Sequence, residues 1–137
     1  QLPQDAVMQS VLKNQVRIGN FVYFNGQTET VYAIRNSGVD FYRGKTKKSV
    51  IMQSYVWEAI KPIPLTKDWL SKLSFFIVET NGIFEANLPN FRYSIQTAKD
   101  YDGFFFCDGE NVLTNFNYVH ELQNLVFALT QRELTVA

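Results

Sequence analysis

The chain has 137 residues, nearly half of them apolar, which suits one domain able to bury a core of its own. Thirteen basic residues balance thirteen acidic ones, so the composition excludes a general electrostatic pull toward nucleic acid or anionic lipid. One cysteine, Cys107, excludes an intramolecular disulfide and a cysteine-based zinc cage, and twelve Phe with seven Tyr favour strands over a helical bundle.

Residues 1–15 are polar, with Val7, Val11 and Leu12 at helix-compatible spacing, and predict an N-terminal arm or short helix. The opening Gln1-Leu2-Pro3-Gln4-Asp5 has neither the basic nor the apolar region of a signal peptide, and no apolar run approaches the roughly 20 residues that span a bilayer. The expected location is cytoplasmic or virion-associated. The first residue is not Met, which leaves export open.

From Val16 the pattern changes to short β-rich runs: Val16–Phe24, Thr28–Arg35, Val39–Tyr42, Val50–Tyr55 and Val56–Ile63. Asn25-Gly26 between two such runs is a strong hairpin signal, because a type I′ turn needs two residues that accept positive φ. Five short strands with tight turns predict a small, strongly bent β-barrel of SH3-like type over residues 16–63. Pro62 and Pro64 cannot donate to a ladder and close this segment.

Residues 64–137 predict a linking helix, an antiparallel meander and a C-terminal helix packed on that meander, so that the class is α+β. Thr66 suits an N-cap, Leu65 and Leu70 suit a hydrophobic staple, and a helix of about ten residues is expected from Lys67. Turn signals at Asn81-Gly82, Pro89-Asn90, Asp102-Gly103 and Asp108-Gly109 separate the strands that follow. In the last helix Leu122, Leu125, Val126 and Leu129 form a stripe at i, i+3, i+4 and i+7, which is expected to lie on the sheet.

Motifs for catalysis are missing. His120 is the only histidine, and its pairing with Cys107 lacks any nucleophile signature, so a surface or capping histidine beside a packed cysteine is expected. Asp100, Asp102, Asp108 and Glu110 lack the closely spaced oxygens of a calcium loop and are read as solubilising turns. No metal, cofactor or catalytic residue is assigned.

Two features point to partners. Phe127 lies among His120, Gln123, Asn124 and Gln131, away from the leucine stripe, which marks that helix face for a protein partner or self-association. Arg43, Lys45, Lys47 and Lys48 beside Tyr42, with Tyr23, Tyr32 and Tyr55 nearby, form the alternative: a basic tip and stacking rings of a weak nucleic-acid binder.

Three stretches carry a resemblance. Arg17-Ile18-Gly19-Asn20-Phe21-Val22, then Lys61-Pro62-Ile63-Pro64-Leu65-Thr66 with Trp69-Leu70, then Tyr118-Val119-His120-Glu121-Leu122-Gln123-Asn124-Leu125-Val126-Phe127-Ala128-Leu129-Thr130 followed by Glu133-Leu134, together resemble an uncharacterised family of small proteins of bacteria, phages and prophages. The likeness runs over roughly residues 16–134. Ser74 and Gln131 stand where that family tends to have Gly, and both fall at helix ends, where cap geometry is decided. The resemblance implies no activity. It implies a mobile-element context, and with the missing motifs it leads to the expectation of a non-catalytic interaction or accessory module, possessing no enzyme site.

Overall fold

A computed structural model describes residues 12–42 and 50–136, with only the backbone described between 50 and 56. In chain order the elements are a helical turn at residues 12–15, β1 Phe21–Phe24, β2 Gln27–Ile34, β3 Gly38–Tyr42, β4 Val50–Val56, a 3-10 turn Trp57–Ala59, β5 Ile60–Lys61, α1 Lys67–Lys72, β6 Phe76–Thr80, β7 Ile83–Asn87, β8 Tyr93–Gln96, β9 Phe104–Asp108, β10 Asn111–Phe116 and α2 Val119–Thr130. The class is α+β, with two antiparallel five-stranded sheets and a C-terminal helix. The chain divides into two compact units. The first runs to Ile63 and takes in Val119–Glu133; the second is Pro64–Tyr118 with the residues from Leu134.

In the first unit the strand order is β4-β3-β2-β1-β5. Asn25 (φ 51°) and Gly26 (φ 74°) make the expected tight turn, with Phe24 opposite Gln27. Register shifts between Val31 and Ala33 in β2, and between Val39 and Phe41 in β3, bend these strands as bulges do. Val22, Val31 and Val39 are fully buried and, with Leu12, Phe41 and Trp57, build the core of this sheet. Each such aliphatic side chain contributes about 1.5–3 kcal/mol by leaving water. Trp57 also donates its indole N–H to the carbonyls of Arg35 and Asn36, pinning the turn before β3.

The ladders make an open sheet. Among the described residues none joins β4 to β5, because β5 has two residues and ends at Pro62, which has no N–H to donate. Two strand expectations also change. Val16–Asn20 precedes β1 as irregular backbone, since Gly19 takes φ +96°, and the run Val56–Ile63 is broken by the 3-10 turn.

The second unit begins with α1. Thr66 is its N-cap and accepts from the Trp69 N–H at 3.2 Å; Leu65 and Leu70 are both buried. The helix stops after six residues, shorter than expected, because Ser74 turns to φ +72°. The Phe75 N–H then bonds the Leu70 carbonyl and the Ser74 N–H bonds the Ser71 carbonyl, which is a Schellman ending. The five strands form a plain meander, β10-β9-β8-β7-β6; Asn81-Gly82 and Pro89-Asn90 turn where predicted, whereas the β8–β9 connection turns earlier, at Lys99-Asp100 (Asp100 φ 63°), and the last turn is Gly109-Glu110, since Asp108 stays in β9 opposite Asn111. Phe91, Tyr93, Phe106, Phe116 and Phe104 make a chain of ring contacts with centroids 5.3 to 6.5 Å apart, so one face of this sheet is an aromatic core.

The last helix is where the expectation fails most clearly. It belongs to the first unit, not to the meander that precedes it in sequence. Its N-terminal N–H, on Val119, bonds the Ile63 carbonyl just beyond β5. Its buried residues are Val119, His120, Leu122, Gln123 and Val126, so Leu122 and Val126 of the expected stripe are buried, whereas Leu125 is half-buried and Leu129 is 47% exposed and the buried face extends toward the polar residues instead.

Candidate functional site

Of the helix residues expected to face a partner, His120 and Gln123 are buried, Asn124 and Phe127 are half-buried and Gln131 is exposed, and each makes bonds or contacts within the first unit. Gln123 is fully buried; its side-chain oxygen accepts the Phe21 N–H at 2.8 Å, and its nitrogen donates to the Gly19 carbonyl at 3.1 Å. Asn124 accepts from Arg17 Nε at 3.1 Å and from Asn20 Nδ2 at 2.8 Å, and donates to the Gln15 carbonyl at 2.8 Å. Asn20 is itself fully buried and accepts the Arg17 N–H through Oδ1. Phe127 is half-buried under the Arg17 guanidinium, 4.2 Å from its ring centroid, and that guanidinium also makes two bonds to Glu133. Gln131 ends the helix at φ +60°, its N–H on the Phe127 carbonyl. The loop 15–21 keeps backbone bonds at Val16, Gly19 and Asn20, and these side chains take up further groups of it, the Gln15 and Gly19 carbonyls and the Arg17 and Phe21 N–H groups.

His120 is 1% exposed, and its Nε2 donates to Gln15 Oε1 at 2.9 Å. Burial lowers its pKa to about 4, so the ring is neutral at pH 7 and internal, not a surface or capping group. Cys107 is buried in the second unit, whereas His120 lies in the first. Burial first, and then the nearby Glu85 carboxylate, raise the Cys107 pKa, which is the reverse of an activated thiolate.

Arg43, Lys45, Lys47 and Lys48 lie outside the described residues. Tyr42 is half-buried against Tyr32 with ring centroids 5.0 Å apart, so it is engaged in packing on its own sheet. Of the acidic turn residues, Asp108 is held by Arg92, through Nε at 3.0 Å and Nη2 at 2.6 Å. Among the described residues no group of three His, Cys, Asp or Glu converges as a metal site would require. No helix among them is long and apolar enough to cross a membrane.

Exposed apolar side chains concentrate on the second sheet. The register puts Phe76, Val78 and Thr80 of β6 on one face with Ile83 and Glu85 of β7. The middle of that face is closed, with Ser94 5% and Cys107 2% exposed. Its margins are open: Phe76 is 68% and Val78 51% exposed on the β6 edge, with Ile83 beside them, and Val112 is 58% exposed on β10. Glu79 and Ile77 point to the other face, where Lys67 of α1 reaches Glu79 at 2.8 Å and stands over the Phe84 ring.

The chain matches no family model, no curated protein and no solved structure.

The geometry therefore brings together no nucleophile, base and anion-stabilising donors in one place among the described residues. What it offers chemically is an apolar strand edge with free-standing Phe and Val side chains. Sequence reasoning passed over this margin because Phe75-Phe76-Ile77-Val78 is a continuous apolar run, which reads as a strand buried on both faces. The signal that was present is Glu79 followed by Thr80 and the Asn81-Gly82 turn, which marks an outer hairpin of the meander.

Proposed function

We propose that this chain is a non-catalytic interaction module, and that the β6 margin of its second sheet is the surface through which it binds another protein surface. The carrying observation is Phe76, a large aromatic on an edge strand that keeps 68% of its surface in water. Val78 and Ile83 extend the same patch. Apolar side chains grouped in this way on one edge are characteristic of association sites, whereas single scattered ones are not. The strand order of the first unit, with a 3-10 turn leading into its last strand, supports an SH3-like reading of that unit as a compact scaffold. The sequence resemblance supports an accessory or virion-associated role in a phage or mobile element.

The test is comparative. Tagged wild-type chain and Phe76→Lys are expressed in the same host, and both the copurifying proteins and the mass in solution are recorded. The substitution is expected to change one of the two while circular dichroism stays the same. A folded Phe76→Lys protein with unchanged mass and unchanged copurifying proteins sinks the reading.

A further inference from the structure

We infer that β6 pairs edge to edge with β6 of a second copy, antiparallel, with Val78 of each chain facing Val78 of the other. This rests on the interaction reading above and names the partner at the same margin.

An edge strand exposes a row of unpaired backbone groups, and proteins normally blunt it with Lys, Pro, a bulge or brevity. β10, the opposite edge, carries such a bulge between Val112 and Thr114. β6 carries one charge, Glu79, which Lys67 already neutralises, and is otherwise unprotected: its five residues contain no Lys or Pro and pair with β7 in unbroken register. Among the described residues no strand lies on its other side. The Lys67 side chain of helix α1 reaches Glu79 and Phe84 on the sheet's other face, away from Phe76 and Val78.

The backbone then dictates a register. Asn81 (φ 55°) and Gly82 (φ 79°) form a two-residue turn, so Thr80 and Ile83 are the hydrogen-bonded pair that closes it. Alternation makes Val78 and Phe76 bond to β7 as well, and turns the N–H and C=O of Ile77 and Glu79 outward. Three two-fold registers can join these outward groups. Pairing Glu79 with Glu79 opposes like charges. Pairing Ile77 with Ile77 sets Glu79 against Phe75, whose N–H is already committed to the Leu70 carbonyl at the end of α1. Pairing Ile77 with Glu79 satisfies the outward groups of both chains.

That third register is also the one the side chains favour. On the exposed face it sets Val78 against Val78, and Phe76 against Thr80 next to Ile83, so the most exposed apolar groups of the edge cover one another. On the other face Glu79 lies beside Ile77 and keeps its Lys67 partner, so the seam holds no directly opposed like charges.

The experiment uses the full chain with single cysteines added to the buried native Cys107. Facing residues of a non-hydrogen-bonded pair have Cα atoms about 4.5 Å apart, within disulfide reach. Val78→Cys is expected to give a covalent dimer on mild oxidation. Phe76→Cys and Thr80→Cys are each expected to stay monomeric under denaturing conditions, but to cross-link when mixed. Sedimentation velocity is expected to give the wild type twice the monomer mass, and a folded Val78→Lys chain the monomer mass. A monomeric wild type in the tens of micromolar, or Thr80→Cys linking to itself as readily as Val78→Cys, overturns the pairing. If the wild type is monomeric but Phe76→Lys still loses a copurifying protein, the second-copy inference fails and the interaction reading stands; if neither changes, both fail.

Discussion

Gln123 on α2 takes the N–H of Phe21, the first residue of β1, at 2.8 Å and returns a bond to the Gly19 carbonyl at 3.1 Å. One side chain thus completes the backbone bonding of the irregular segment before β1, while the Val31 N–H and carbonyl bond Asn20 and Gly19 from the other side. Replacing Gln123 by Leu keeps the bulk and removes both bonds from the part-buried Phe21 N–H and Gly19 C=O. The expected loss is about 2–4 kcal/mol, since each orphaned buried group costs ~1–3 kcal/mol. Urea unfolding of Gln123→Leu against wild type measures it, and a change below about 1 kcal/mol would mean that water or a shifted loop replaces the carboxamide.

Both helices whose ends are described terminate through a left-handed residue that is not glycine. Ser74 sits at φ +72° and Gln131 at φ +60°, with the N–H bonds of a Schellman ending after α1 and of the simpler left-handed ending after α2. A side chain in this conformation costs about 1–2 kcal/mol relative to glycine. Ser74→Gly and Gln131→Gly are therefore expected to raise stability, each by about 1 kcal/mol after the unfolded-state entropy of glycine is set against the gain. Thermal unfolding of the single and double variants checks it, with the two increments adding because the residues end different helices in different units. A lower melting temperature for either would contradict the backbone assignment.

Acid should weaken the first unit in a defined window. Burial holds the His120 pKa at about 4, below its ordinary 6.5. Between those values the unfolded chain binds a proton that the folded chain refuses, so stability falls as the pH drops from 6.5 toward 4 and levels off below. The full effect is about 3 kcal/mol. Carboxylates titrate in part of the same range, so the informative quantity is the difference between wild type and His120→Gln. That difference should change with pH between 6.5 and 4 and be flat from pH 7 to 8. A pH-independent difference would mean that His120 is charged or accessible in the folded chain.

How much of this was legible in the sequence depends on which physical signal each feature emits. Asn25-Gly26 and Asn81-Gly82 announce their turns through φ alone, and the Thr66 cap through one hydroxyl, so the first hairpin of each sheet and the start of α1 could be placed in advance. The allegiance of α2 could not. Periodicity weighs apolar residues only; it placed Val119, Leu122 and Val126 on the buried side but added Leu125 and Leu129, because the helix is also oriented by Gln123, Asn124 and His120 bonding to residues 15–21. Polar side chains that are buried because they serve a distant backbone look, in sequence, like a solvated face. The same blindness made Phe127 look displaced when Arg17, 110 positions earlier, covers it.

That covering separates two aromatics that the sequence alone could not rank. Phe127 lies beneath the Arg17 guanidinium, which is fixed in turn by Glu133 and Asn124. A stacked cation of this kind adds about 0.5–1 kcal/mol to the apolar burial of the ring. Phe127→Ala is expected to cost about 1–3 kcal/mol in stability and to leave the mass in solution unchanged. Phe76 has the opposite environment, with 68% of its surface in water and β7 on one side only. Phe76→Lys should leave the unfolding midpoint of the isolated chain within about 0.5 kcal/mol of wild type, as exposed substitutions do, while halving the mass of a self-associated species. Paired urea titration and sedimentation of the two variants resolve the matter, with the midpoints compared at a concentration where both chains are monomeric. An associative defect in Phe127→Ala with none in Phe76→Lys would return the contact surface to the C-terminal helix and remove it from the β6 margin.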